Sequence, residues 1–151
     1  MNLFQKHFER GYLKKQSPNF AQISKQLRRA YKDLKTAKRT LEYDPEWAST
    51  IAYQAMLRGG RALLFAHGYL PTDGAQHRTA VELTGKVLGD EYANLIRYFN
   101  KFRKKRNLFF YDSEDTDNLE EAKKGLQIAR ELLDRIKMYI EKVNPQIHFQ
   151  F

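Results

Sequence analysis

Apolar residues recur along this chain at alternating spacings of three and four, the pattern of helices that bury one face. The clearest run is Phe20, Ile23, Leu27, Ala30, Leu34, Ala37 and Leu41, with Lys25, Arg28, Arg29, Lys32, Lys35, Lys38 and Arg39 on the remaining faces. It predicts a first long helix, with Ser17-Pro18 as its N-cap and first-turn proline. Asp44-Pro45-Glu46 repeats that start signal, and the second helix is expected to run to about His67 and stop at Gly68, a residue suited to a left-handed C′ position. Trp47, Ile51, Ala55, Ala62 and Ala66 lie on one flank of it, and Ala48, Ala52, Met56, Leu63 and Leu64 on others. A helix apolar on several sides is enclosed by neighbours, so this is the expected centre of the fold. Gly59-Gly60 costs about 1 kcal/mol per glycine in helix propensity, which implies compensation by a close helix approach, within the chain or across a dimer.

Pro71-Thr72-Asp73-Gly74 reads as a turn, followed by a short helix from about His77 to Leu88 that Gly89 ends. Asp90 can cap the next helix, whose buried side is marked by Tyr92, Leu95, Ile96, Phe99, Phe102, Phe109 and Phe110. An acidic loop, Asp112 to Asp117, separates it from the last helix, where Asp117 and Glu120 have capping-box spacing. Leu119, Ala122, Leu126, Ala129, Leu133, Ile136, Ile140 and Val143 then step by three and four until Asn144-Pro145. The only alternation resembling a strand is the tail Ile147, Phe149, Phe151, too short to assign. The expected architecture is all-α: an up-and-down antiparallel bundle of four main helices plus one short helix. The expected organisation is a single domain over 1–151, with a core at about 20–143, an extension at 1–16 and a tail at 144–151. In the extension Leu3, Phe4, Phe8 and Tyr12 have roughly helical spacing, and their aromatic character favours packing over a free basic arm.

Composition narrows the function. Apolar residues at 42% are enough for a core, and no stretch approaches the roughly 20 residues of a membrane span. Met1 to Lys15 lacks the apolar core of a secretory signal, and cysteine is absent, which excludes disulfides, thiolate zinc sites and cysteine catalysis. Both fit a cytoplasmic protein. The net charge is +9, and it is concentrated: residues 1–43 carry +8 and Lys101 to Arg106 carry +5, while the rest is slightly acidic. Two basic patches on a near-neutral body suggest a polyanionic partner, nucleic acid first. Phosphate loops, nucleophile elbows and His-Glu-x-x-His or Glu-x-x-His motifs are missing. The spacings of His7, His67, His77 and His148 suit no metal site. His67 at a helix C-terminus is expected as a dipole-favoured imidazolium, and His77 as a capping or surface residue.

The informative segment is Lys101 to Asp112, KFRKKRNLFFYD. Extending the buried pattern through Leu95, Phe99 and Phe102 places Arg106 on the apolar stripe, where an unpaired guanidinium is costly. It must find a carboxylate, such as Glu46 or Glu82, a carbonyl array or a phosphate. Asn107 lies beside it, four residues before Tyr111, so the amide and phenol can share a helix face. Lys101, Arg103, Lys104 and Lys105 surround this group as candidate nucleic-acid-binding residues.

The long first helix, the alanine-rich second helix AYQAMLRGGRALLFAHGYLP, then DGAQHRTAVEL, RNLFFYD, an acidic loop and a final amphipathic helix together resemble a HEPN domain. The resemblance covers about residues 20–143 and is closest to small stand-alone HEPN proteins of bacteria and archaea. Its specific element is the family's Arg followed by a polar residue, with four to six residues between that Arg and a His. Arg106-Asn107 matches the first half, and Tyr111 stands at the histidine position. The resemblance implies a cytoplasmic homodimer whose two motifs meet in a basic cleft, and RNA or nucleotide as ligand. It implies catalytic roles for Arg106, Asn107 and Tyr111, with no cofactor and no metal. Active members are metal-independent endoribonucleases, often toxins paired with a minimal nucleotidyltransferase antitoxin. Tyrosine is a poor general base, its unperturbed pKa being about 10, so binding is better supported than cleavage. The alternative is a non-enzymatic interaction module that pairs with a nucleotidyltransferase-like protein.

Overall fold

A computed structural model describes residues 2–72, 76–111 and 118–151. Its elements, in chain order, are α1 (Gln5–Glu9), β1 (Leu13–Lys15), α2 (Phe20–Thr40), α3 (Pro45–Ala66), β2 (Tyr69–Pro71), α4 (Gln76–Leu88), a 3-10 turn (Asp90–Tyr92), α5 (Ala93–Tyr111) and α6 (Leu119–Val143). The fold is an all-α bundle in which α3 packs against α2, α4, α5 and α6. Ala52, Tyr53, Ala55, Met56, Leu57, Ala62, Leu63 and Leu64 of α3 are all buried, as expected of the enclosed helix. Among the described residues, no helix is long and apolar enough to cross a membrane.

The start and stop of α3 follow the expected chemistry. Asp44 accepts from the Trp47 amide at 3.0 Å, Pro45 opens the helix and Gly68 turns the chain at φ 87°. Gly59 and Gly60 make close approaches within the chain. A Cβ on Gly59 would lie 2.5 Å from Leu133 Cδ2 of α6, and one on Gly60 2.9 Å from Thr84 Oγ1 of α4. Two neighbouring helices thus take the space that side chains would fill, and that packing offsets the propensity cost.

Several local expectations are corrected. Asn19, not Ser17, caps α2, accepting from the Gln22 amide at 3.1 Å. The chain reaches Ser17-Pro18 still tied to the strand pair, since Gln16 N–H donates to the Gly68 carbonyl at 2.9 Å, so the helix begins after the proline. The cap of α6 is Asn118, which accepts from the Glu121 amide at 2.9 Å; Asp117, the expected cap, lies outside the described residues, as do Asp73-Gly74 and the acidic loop. Asp90 does not cap α5 through its side chain but begins the 3-10 turn after Gly89, whose φ is 93°.

The extension and tail both pack. β1 pairs antiparallel with β2, Leu13 opposite Pro71, a two-stranded sheet the patterning did not predict. Phe4 is buried and stacks on Tyr69 at 4.8 Å, and Leu13 is buried as well. Residues 147–151 form no strand. Instead Phe151 meets Tyr31 edge-on at 5.8 Å and its carbonyl accepts from Lys137, which closes the seam between α2 and α6.

His67 corrects an electrostatic expectation. The helix dipole favours an imidazolium there, yet burial between Phe4 (5.1 Å) and Tyr139 (5.7 Å) lowers its pKa below the ordinary value. Its Nε2 is buried without a partner. Desolvation outweighs a half-charge at the helix end because the rings exclude the water that would stabilise the cation. With a folded-state pKa below the unfolded one, stability is intact above about pH 6.5 and declines as the pH falls below it, where the unfolded chain takes the proton first. The urea midpoint is therefore expected to fall from pH 7 to pH 5, and His67→Phe to flatten that fall. An unchanged slope in the variant would assign the acid sensitivity to other groups.

Candidate functional site

The terminal half of α5 departs from the expected burial. Leu95, Phe99 and Phe102 are buried, but Phe109 is only partly covered and Phe110 is 47% exposed. The stripe ends at Phe102, and beyond it α5 is only partly covered, Phe109 and Phe110 resting against Trp47 of the first turn of α3. Arg106 is consequently half-buried and not enclosed. Its Nη1 donates to Asn107 Oδ1 at 3.2 Å and its guanidinium lies over the Phe110 ring at 4.7 Å. Glu82, one expected partner, is engaged by His7 Nε2 at 3.0 Å and by Arg78 at 2.9 Å. Glu46, the other, borders a small depression between α3 and α5 that Arg106 also lines.

Arg106 and Asn107 form one wall of a groove of about 820 Å³. Arg103 adds to that wall. The opposite side comes from α4, through Gln76, His77, Arg78, Thr79 and Glu82, and the end from the N-terminal segment, through His7, Arg10, Gly11 and Tyr12, and from Thr72 after β2. The β1–β2 pairing is what brings the N-terminal segment here: Thr72 N–H donates to the Tyr12 carbonyl at 3.0 Å and its hydroxyl to the Gly11 carbonyl at 2.8 Å. A second depression of about 640 Å³ continues between α4 and α5, sharing Arg78, Glu82 and Arg103 and adding Arg97, Asn100 and Lys104. The two together make a track walled by Arg10, Arg78, Arg97, Arg103, Lys104 and Arg106, with Glu82 as the one carboxylate among the described lining residues. Burial pushes the Glu82 carboxyl up, but hydrogen bonds from His7 and Arg78 outweigh this and hold it below the usual range. Such a track attracts an extended polyanion.

Of the sequence-derived candidates, the groove gathers Arg103, Arg106 and Asn107, and its extension Lys104. Lys105 faces the bundle, paired with Glu121 at 2.9 Å over the Phe102 ring. Lys101 lies over Tyr98 at 5.6 Å, in a separate cluster with Lys124. Tyr111, the last residue of α5, is 78% exposed and does not line the groove. None of the basic residues of α2 lines it either.

Patterning missed the opposite wall. His77 Nδ1 and the Tyr53 hydroxyl are 2.7 Å apart, and the two rings stack at 5.8 Å with 25° between planes. Arg61 of α3 donates to Gln76, so the first turn of α4 is fastened to α3 at two successive residues. Burial lowers the His77 pKa, and Arg106, Arg61 and Arg103 push the same way. Burial raises the Tyr53 phenol to about 12 against the opposing arginines, so it stays protonated at neutral pH. Read alone, His77 looked like a capping residue; its value comes from α5, which is remote in sequence. Among the described residues, no group of three or more His, Asp or Glu is placed to hold a metal ion.

A family model described as HEPN domain aligns with residues 23–139, most of the chain. No curated protein matches the chain significantly.

Proposed function

The chain belongs to the HEPN family, and from that premise we propose that it binds RNA along the α4–α5 track and acts as a metal-independent endoribonuclease of toxin–antitoxin type, weakened by Tyr111 at the motif histidine. The observation that carries the reading is the half-exposed Arg106, with Asn107 orienting it, in a groove walled by three further arginines. A guanidinium with no carboxylate partner among the described residues is a ready donor to a phosphate, and bidentate donation suits the charge that builds on phosphorus in the transition state. A second copy is the proposed occupant of the exposed aromatic end of α5, where Phe110 packs edge to face with Trp47 and Phe109, so that two motifs share one cleft.

The test uses purified protein with labelled structured RNA in EDTA across a salt series. Cleavage that persists in EDTA, binding that weakens steeply with salt, and sedimentation as a dimer are the expected results. The same exposed aromatic end also favours a second reading, a non-enzymatic module that docks a nucleotidyltransferase-like antitoxin. Absence of salt-dependent RNA binding, with a stoichiometric complex formed on adding such a partner, would replace the first reading by the second.

A further inference from the structure

Resting on the ribonuclease reading, we infer that His77 is the proton-accepting group of the groove: its Nε2 takes the proton of a ribose 2′-hydroxyl, the role that an exposed Tyr111 phenol fills poorly. Three observations converge on this. His77 faces the same groove as Arg103, Arg106 and Asn107, from the opposite wall, so a phosphate held by the arginines brings its ribose toward the imidazole. Nδ1 is 2.7 Å from the Tyr53 hydroxyl, and in the tautomer that donates from Nδ1–H to the phenol, Nε2 keeps its lone pair for a ligand. Tyr53 is fully buried, so the imidazole is held in one orientation by both a hydrogen bond and a stacked ring.

The choice of a phenol as the holding group matters. A hydroxyl can accept from Nδ1–H both when Nε2 carries a lone pair and when the ring is an imidazolium, so the contact survives proton transfer. The neighbouring charges keep the ring neutral before reaction: Arg61 from α3 and Arg103 and Arg106 from α5, with Tyr53 uncharged. His7 and Glu82, across the groove, are paired with each other. In the step, Nε2 gains the 2′-hydroxyl proton as the 2′-oxygen bonds to phosphorus. The bond from phosphorus to the 5′-oxygen breaks, and the leaving oxygen takes a proton from water. The products are a 2′,3′-cyclic phosphate and a 5′-hydroxyl, and the imidazolium returns its proton to solvent. No metal or redox partner enters the balance.

The experiment measures cleavage in EDTA by wild type, His77→Gln, His77→Ala and Arg106→Ala, with RNA affinity and the unfolding midpoint of each. His77→Gln is expected to slow cleavage by about 10²- to 10⁴-fold, with RNA affinity within about threefold of wild type. The wild-type rate should rise with pH along a limb below about 6.5, and that limb should vanish in His77→Gln. Imidazole should partly restore His77→Ala, which a structural role for the residue would not allow. Cleavage by His77→Gln within about threefold of wild type, with Arg106→Ala inactive, would overturn the inference and leave the ribonuclease reading standing. A wild type that binds RNA but never cleaves it would overturn both.

Discussion

Arg106→Ala is expected to lower RNA cleavage by about 10²- to 10³-fold, the usual consequence of removing a donor aimed at developing charge in a transition state. The stability cost should be small, since the side chain is half-exposed and what it gives up is one hydrogen bond to Asn107 and a contact with the Phe110 ring. The loss should therefore appear in rate at an almost unchanged unfolding midpoint. Arg106→Lys keeps the charge but not the planar fork, and is expected to recover affinity more fully than rate, because a point charge holds a phosphate without matching its geometry. If Arg106→Ala cleaves like wild type, the site lies elsewhere. Arg103→Ala, on the same wall, should mainly weaken binding and reduce its salt dependence, one phosphate contact fewer.

Phe99→Ala is expected to destabilise the bundle by about 3–5 kcal/mol, a large part of the 5–15 kcal/mol typical of a domain this size. Phe99 has no exposed surface and lies where α5 meets α3, its ring 5.9 Å from that of Tyr53 and against Gly60. Gly60 offers no side chain that could swing into the void, so the cavity should persist. Urea denaturation followed by circular dichroism checks this; a loss below about 1 kcal/mol would show that the site collapses around the deletion. Because Tyr53 sits between Phe99 and His77, cleavage at temperatures where the variant is still folded should fall too. A core substitution would then act on the groove through the ring that holds its imidazole.

Where the pattern is local, the sequence was a reliable guide. The seams of α2 and α6 and the cap, proline and terminal glycine of α3 lie where their spacing put them, because each is decided within a few residues. The β1–β2 pair was not legible: three-residue strands more than fifty positions apart carry no local signal, and the buried Leu13 and Tyr69 anchor it only once the chain is folded. Arg106 is half-buried where its spacing predicts enclosure, since a periodicity reports a helix face but not how closely its neighbours cover it. Half of the groove was readable in the Lys101–Asn107 run. The other half, His77 and Glu82 with their partners Tyr53 and His7, depended on contacts between remote segments that no spacing announces. Lys101 and Lys105 illustrate the converse: a charge run on a helix points in several directions, and only some of it faces one ligand.

The chain holds a single tryptophan, and it stands 41% exposed on α3 against Phe109 and Phe110, the latter one helical turn beyond the arginine of the motif. The molecule thereby carries its own optical probe at the spot where the proposed events converge. Excitation of that indole reports the end of α5 and nothing else of its kind, so titrating RNA, an antitoxin or the protein's own concentration should each leave a separable mark on emission wavelength and quenching by iodide. Ligand occupancy and self-association can be followed on the unlabelled protein in a cuvette.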